Sequence, residues 1–267
     1  MESSPKGRVK PVRPVAPYIG GKNALFKRLV PIIDGHDHIT YAEPFVGMGG
    51  VFLKRQRQPK SEYINDWSQD VATLFRILQR HYVAFLDMLR FQITTRAEFE
   101  RLQAVDPDTL TDLERAARFL YLQRTAFGGK VAGRTFGTSI ERPARFDITK
   151  LIPMLEAVHE RLAPVTIERL PYAEFIARYD RPTTLFFLDP PYYDCEGDYG
   201  EGMFSKADFE TLRVILGGLK GSFVMTLNDR PEVRELFEGF EMEEVGLNYT
   251  VGKGAAPARE LIIRNLR

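Results

Sequence analysis

Strand-like and helix-like segments alternate at both ends of this chain and stop alternating in the middle. That interrupted alternation restricts the fold more than any single motif does. "HITYAE" (38–43) has strand character, "PFVGMGG" is a loop, and "VFLKRQ" is predicted to begin a helix. "SEYIND" (61–66) is a second strand, followed by "SQDVATLFRILQRHYVAFLDML", whose apolar spacing predicts one helix with Ser68 at its N-cap. From about Phe91 the pattern changes. Two helical stretches, "TRAEFERLQAV" and "TDLERAARFLYLQRTAF", are separated by Pro107, and a glycine-rich basic stretch, "GGKVAGRTFGTS", follows them. After the helix "DITKLIPMLEAVHERL" and the strand "PVTIERL", alternation resumes with "TTLFFLD" (183–189). "SKADFETLRVILGGL" is a helix capped by Ser205 with Asp208 three residues on; "GSFVMTLND" is a strand and "RPEVRELFEGF" a helix with Pro231 in its first turn. Two further strands, "EEVGLNYTV" and "ELIIRNL", are divided by "GKGAAPAR". The expected fold is an α/β sheet at residues 1–79 and 166–267, carrying a mostly helical insertion at roughly 80–165.

A chain of 267 residues is long enough for such a core without staples, and its single cysteine, Cys195, cannot form an internal disulfide. With no apolar run long enough to span a bilayer and no signal-peptide core, a reducing cytoplasm is the expected home. The polar, proline-rich start, "MESSPKGRVKPVRP", is expected to be a mobile lead-in. Net charge is only +1, but Arg118 to Arg145 holds six Lys/Arg against one acid, while Pro171 onward holds 11 against 17. Such a basic segment is either a solvated face or a phosphate-binding surface, and composition does not choose between them. The four histidines, 36, 38, 81 and 159, show no ligand spacing, so no metal is expected.

Three stretches carry chemistry. "EPFVGMGG" (43–50) lies between a strand and a helix signal, where a glycine loop lets a nucleotide-like ligand approach the backbone. It is neither G-x-G-x-x-G nor a P-loop, and Glu43 would repel a pyrophosphate but suit a cationic or ribose-bearing ligand. A plain strand-to-helix turn would look much the same. Asp66 ends the next strand about twenty residues on, the place of a ribose-binding acid; the competing explanation is a helix-capping Asp. "PYIGGK" (17–22), taken alone, reads as a solvated loop.

"FLDPPYY" (187–193) is the strongest signal. Asp189 stands at the C-terminal end of a strand, where open sheets bind ligands, and Pro190 and Pro191 lock the backbone beside Tyr192. An exocyclic amine of a base is a poor nucleophile carrying two hydrogens. A carboxylate accepts a hydrogen bond from one, and a main-chain carbonyl held by the proline pair accepts the other. Those bonds favour a more pyramidal nitrogen, able to attack a methyl sulfonium, while Tyr192 stacks on the base. An Asp-Pro-Pro turn closing a core strand is the alternative, and it requires no aromatic residue.

In this order the stretches resemble the DNA adenine N6-methyltransferases of the Dam type, the D12 class, alpha group. "PYIGGK" is similar to the family's N-terminal cofactor motif, "EPFVGMGGVFL" to its S-adenosylmethionine (AdoMet) loop, "INDW" to its ribose acid and "DPPYY" to its catalytic motif. The resemblance implies a Rossmann-like AdoMet-dependent methyltransferase sheet with a target-recognition insertion, acting on double-stranded DNA. It implies cofactor contacts at Tyr18, Lys22, Glu43, Pro44, Phe45, Gly47, Gly49, Asp66, Phe175 and Asp189, and catalysis by Asp189, Pro190, Pro191 and Tyr192. Where the family shows "FNG", this chain has "FGGK", with Gly128 in place of Asn, while "TFGTS" is similar to the family's "PFG". Arg124, Lys130, Arg134, Arg142 and Arg145 are the expected backbone-phosphate contacts on DNA. The rivals are a cytosine N4-methyltransferase, a protein or RNA methyltransferase, and a DNA-binding module without catalysis.

Overall fold

The computed structural model describes residues 7–22, 25–138, 141, 143–199, 202, 204–251 and 254–266. Its centre is a seven-stranded sheet. In chain order the strands are β1 (Thr40–Glu43), β2 (Ser61–Asn65), β3 (Thr166–Glu168), β4 (Thr184–Leu188), β5 (Ser222–Asn228), β6 (Glu241–Val251) and β7 (Gly254–Asn265). Their spatial order is β3-β2-β1-β4-β5-β7-β6. The first five are mutually parallel, and β7 runs antiparallel to both β5 and β6. The chain order reverses between β1 and β4, so the C-terminal ends of these two strands open onto one crevice.

The middle of the sheet is covered on both faces: β4, "TLFFL", is buried along its whole length. Leu185 and Phe187 face a core shared with α1 (Phe26–Gly35), α2 (Gln69–Arg80), α3 (Tyr82–Leu89), α4 (Arg96–Ala104), α5 (Asp112–Thr125) and α6 (Ile148–Leu162). Phe186 and Leu188 face the other core, closed by α7 (Tyr172–Tyr179), α8 (Lys206–Gly217) and α9 (Pro231–Leu236). The period of two along one strand therefore sorts its side chains into two apolar layers. α5 starts on a full capping box between Thr111 and Glu114, and Asp208 accepts from both the backbone N–H and the hydroxyl of Ser205 at the start of α8.

Five local expectations are corrected. "VFLKRQ" forms only one 3₁₀ turn, Phe52–Lys54, because Arg55 goes extended to bury its guanidinium against Glu62, 2.8 Å away. The long helix after Asp66 is two helices, broken at His81 (φ −126°, ψ 32°). Ser68 occupies the N-cap without capping through its side chain; its backbone N–H instead donates to Asp66 Oδ1 at 2.9 Å. "GKGAAPAR" is no broad divider, since the β6–β7 ladder runs from Glu241↔Arg264 to Val251↔Gly254. The lead-in is tied down from Gly7, where Gly7–Arg8 pairs with Arg57–Gln58 and Val12 N–H donates to Leu53 O at 2.7 Å. Residues 1–6 lie outside the described residues.

Candidate active site

The glycine loop leaves β1 at Glu43 and is fixed by the end of β2. Val46 N–H donates to Asn65 O at 3.0 Å, and Gly47 N–H to Asp66 Oδ2 at 2.8 Å. The Asn65 amide donates to Pro44 O and Leu170 O, each at 3.0 Å, and accepts from Leu170 N–H at 2.8 Å. Gly47 has φ +50°, and a Cβ there would lie 3.1 Å from the Tyr18 ring. The position therefore needs glycine twice, for its backbone and for the ring beside it. Each Asp66 oxygen is engaged once by the backbone, which leaves lone pairs for ligand hydroxyls.

Burial decides the charge states here. It pushes the Asp66 carboxyl up to about 6, with the Ser68 and Gly47 N–H bonds opposing the rise. Burial pushes Glu43 up to about 8, against a hydrogen bond from the Tyr41 hydroxyl at 2.6 Å. A site of this kind favours a cation, which restores the ionised carboxylates.

β4 delivers Asp189 to the same crevice. Its Oδ1 accepts from Thr226 Oγ1 at 2.8 Å and is paired with Lys22 Nζ at 2.8 Å. Both interactions fall on Oδ1, so Oδ2 is the oxygen left to accept from a substrate. Burial raises the carboxyl's pKa while Lys22 pulls it down. β5 templates the turn that follows. Thr226 and Asn228 are two residues apart on one face; the first holds the Asp189 carboxylate, and the second accepts from Tyr193 N–H at 2.9 Å and donates to Tyr193 O at 3.0 Å.

A cavity of about 720 Å³ joins these parts. Tyr18, Lys22, Glu43, Pro44, Phe45, Gly47, Asp66, Asp189 and Pro191 all line it. Gly49, Pro190, Tyr192 and Phe175 do not. Gly49 shapes the loop from behind, where a Cβ would meet Leu53 at 2.9 Å. Phe175 is fully buried in the α7–α8 core, with its ring 4.9 Å from Tyr179. The Tyr192 hydroxyl points inward, accepting from Lys22 Nζ at 2.9 Å and donating to Glu260. Sequence reasoning missed Trp67, Tyr172, Phe204 and Asp208 on the cavity wall. Trp67 had a signal, since it directly follows Asp66; the others lie on α7 and before or on α8 with none.

The basic segment is spent largely on the protein itself. Arg124 donates to Arg145 O from Nε at 3.0 Å and Nη2 at 2.9 Å, and from Nη1 to Val15 O at 2.7 Å. Arg134 donates to Lys130 O and Gln123 Oε1, and Arg145 donates to Ala126 O. Lys130 is exposed, and Arg142 lies outside the described residues. Gly128 has φ +68° and ψ 5°, a left-handed conformation that asparagine also tolerates. Gly129 O accepts from Ile19 N–H at 3.1 Å, which docks this loop on "PYIGGK".

Residues 18–251 match the model of the D12 class N6 adenine-specific DNA methyltransferases. The chain belongs to that family. It is 24% identical over 242 residues to the Type II methyltransferase M.CviBI of Paramecium bursaria Chlorella virus NC1A, covering 89% of this chain and 91% of that one. It is 24% identical to the Type II methyltransferase M1.LlaDCHI of Lactococcus lactis subsp. cremoris, covering 95% of each. A match of 26% identity to the DNA N-6-adenine-methyltransferase of Escherichia phage P1 covers 88% of this chain and 33% of that one. As a D12 enzyme the protein is a DNA adenine N6-methyltransferase, and S-adenosylmethionine is its methyl donor.

The D12 site fits that donor. Three carboxyl groups, those of buried Glu43 and half-buried Asp66 and Asp189, line one cavity and suit a cation bearing ribose hydroxyls. Aromatic faces at Phe45, Trp67 and Tyr172 line the same cavity and suit a purine ring. Among the described residues no group of three His, Cys, Asp or Glu is placed to hold a metal ion, and no helix is long and apolar enough to cross a membrane.

Proposed function

We propose that Asp189 is the carboxylate that holds adenine N6 while it is methylated, with the target base swung out of duplex DNA into the crevice. The observation that carries this reading is the convergence of Asp189, held by Lys22 and Thr226, with the glycine loop held by Asp66, on one cavity. The amino group of a stacked adenine cannot reach such a recess, so the base must leave the helix.

When bound, S-adenosylmethionine supplies an electrophilic methyl group on a positively charged sulfur. Glu43, with Pro44, Phe45 and Gly47 of the loop, would hold it; Asp66 would accept its ribose hydroxyls, and Tyr18 and Lys22 would close the wall. Asp189 accepts one N6 hydrogen and the main-chain carbonyl in the Pro190–Pro191 pair accepts the other, which holds the amine in line. Tyr192 borders the base. Asp189 is also the nearest base for the proton that N6 sheds once its fourth bond has formed.

Residues 80–165 are proposed as the target-recognition insertion on a catalytic domain of residues 1–79 and 166–267. Gln123 supports this division, since its Nε2 bridges Pro17 O at 2.9 Å and Gly129 O at 2.6 Å and so sets the insertion beside the site. Lys130 is the proposed phosphate contact; Arg124, Arg134 and Arg145 stiffen the loops that present it.

The test is incubation with labelled S-adenosylmethionine and mixed-sequence duplex DNA, digestion to nucleosides, and identification of the product by mass. N6-methyladenine is expected, and Asp189→Ala is expected to lose turnover by about a hundredfold or more while still binding the donor. N4-methylcytosine as the product, or full activity in that variant, overturns the assignment.

A further inference from the structure

We propose that Glu260 on β7 is a positioning residue of the methyl-transfer site, fixing Tyr192 through its hydroxyl and Lys22 through its charge. The inference rests on the reading of Asp189 as the acceptor of the substrate amine.

Glu260 is 1% exposed, and the next three residues, Leu261, Ile262 and Ile263, are wholly buried apolar side chains. A carboxylate in such a strand carries a desolvation penalty unless it is compensated, whereas an apolar residue would close the core without one. The compensation found here leads to the site. The Tyr192 hydroxyl donates to Glu260 Oε1, and Lys22 Nζ lies 3.9 Å from Oε2.

The hydrogen-bond inventory leaves little freedom. The Lys22 ammonium has three N–H donors, and three acceptors surround it: Asp189 Oδ1 at 2.8 Å, the Tyr192 hydroxyl at 2.9 Å and Gly20 O at 3.0 Å. Because the Tyr192 oxygen accepts from Lys22, its single proton goes to Glu260. The phenol is thus held from both sides at its far end, with the Lys22 ammonium 4.5 Å from the ring centroid. One cation is shared between two carboxylates, so Lys22 is pulled toward β7 as well as toward Asp189.

Topology explains why this strand supplies the anchor. Glu260 pairs in register with Asn228, which holds the backbone of Tyr193 through both of its amide atoms. Two opposed residues on β5 and β7 therefore grip the turn after Asp189, one by its main chain and the other by the Tyr192 phenol. On the reading that the Tyr192 ring borders the flipped base beside the cavity, slack at Glu260 becomes slack at N6.

A double-mutant cycle on the full chain tests this, using target-bearing duplex DNA and S-adenosylmethionine, with kcat referred to active sites counted by single-turnover burst. Glu260→Met removes the acceptor at similar volume, and Tyr192→Phe removes the hydroxyl and keeps the ring. Each is expected to lower kcat about tenfold with the KM for S-adenosylmethionine changed less than about threefold, and the double variant is expected to be no slower than either single one. Glu260→Gln, which keeps an acceptor oxygen, is expected to recover most of the loss. Additive losses of about a hundredfold in the double variant, or a loss that appears only as fewer active sites, overturn the proposal. Should Glu260→Met not fold, an unchanged kcat in Tyr192→Phe overturns it alone. Wild-type protein that forms no N6-methyladenine removes the parent reading instead, and the two failures are thereby told apart.

Discussion

Lys22 Nζ lies 2.8 Å from Asp189 Oδ1, joining a loop that precedes the sheet to the turn that follows its central strand. The ammonium counters the burial that raises the Asp189 pKa. Lys22→Met is therefore expected to raise that pKa further and to shift the acidic limb of the kcat/KM profile to higher pH. A pH–rate series on the two proteins checks it; an unmoved limb would show that Lys22 is not part of the titrating unit.

Glu43, in its proposed place beside the methyl donor, would link donor binding to pH. Its carboxyl is held up to about 8 by burial, so it keeps its proton at neutral pH until a cation arrives beside it. Binding is expected to release protons at pH 7 and to tighten as pH rises through about 8, and Glu43→Gln is expected to flatten that dependence. Calorimetry in buffers of different ionisation heat reads the proton count directly. The same group affects stability in the opposite sense. Its contribution is fully present below the ordinary value of 4.5 and is lost as pH rises through about 8, so the apo protein loses stability over that window.

Glu62 on β2 is a structural counterpart with no part in the chemistry. It accepts from Arg55 Nη1 at 2.8 Å and from Arg161 Nη1 and Nη2, each at 2.7 Å, all three residues being buried. Glu62→Leu leaves Arg161 without its carboxylate and Arg55 with only the Asp34 carboxylate at 3.5 Å, and is expected to cost about 3–5 kcal/mol in urea unfolding. Turnover per folded molecule is expected to stay at the wild-type value.

Arg124 and Lys130 separate two meanings of positive charge. Arg124→Ala removes three bonds to main-chain carbonyls and is expected to cost about 1–3 kcal/mol of stability while leaving the salt dependence of DNA binding unchanged. Lys130→Ala is expected to leave stability unchanged, to weaken DNA binding across sequences, and to reduce the log–log salt slope by about 1. Fluorescence anisotropy across a salt series distinguishes them.

The frame and the three acids at strand ends were legible because parallel strands are buried on both sides. A charged residue that ends an apolar run, as Glu43, Asp66 and Asp189 do, stands out against it. The 3₁₀ turn after the glycine loop was not legible, since Arg55 is drawn into an ion pair with a residue on the next strand. Nor was the break at His81, which a run of apolar residues at helical spacing does not register. Composition counted six basic residues between Arg118 and Arg145 without showing that Arg118, Arg124, Arg134 and Arg145 would donate to carbonyl or amide oxygens inside the protein. Glu260 gave no local sign, because its partners sit on a turn and a loop far away in sequence.

The placement of β7 bears on how the molecule is assembled. This strand is the last of the sheet to leave the ribosome, yet it lies between β5 and β6 instead of at a border. Until it arrives, β5 presents an unpaired edge flanked by Phe223, Met225 and Leu227, a surface apt to join other chains. A nascent chain arrested before that point would expose that edge and lack Glu260, the carboxylate beside Tyr192 and Lys22. This one strand thus both covers the β5 edge and brings Glu260 to Tyr192 and Lys22.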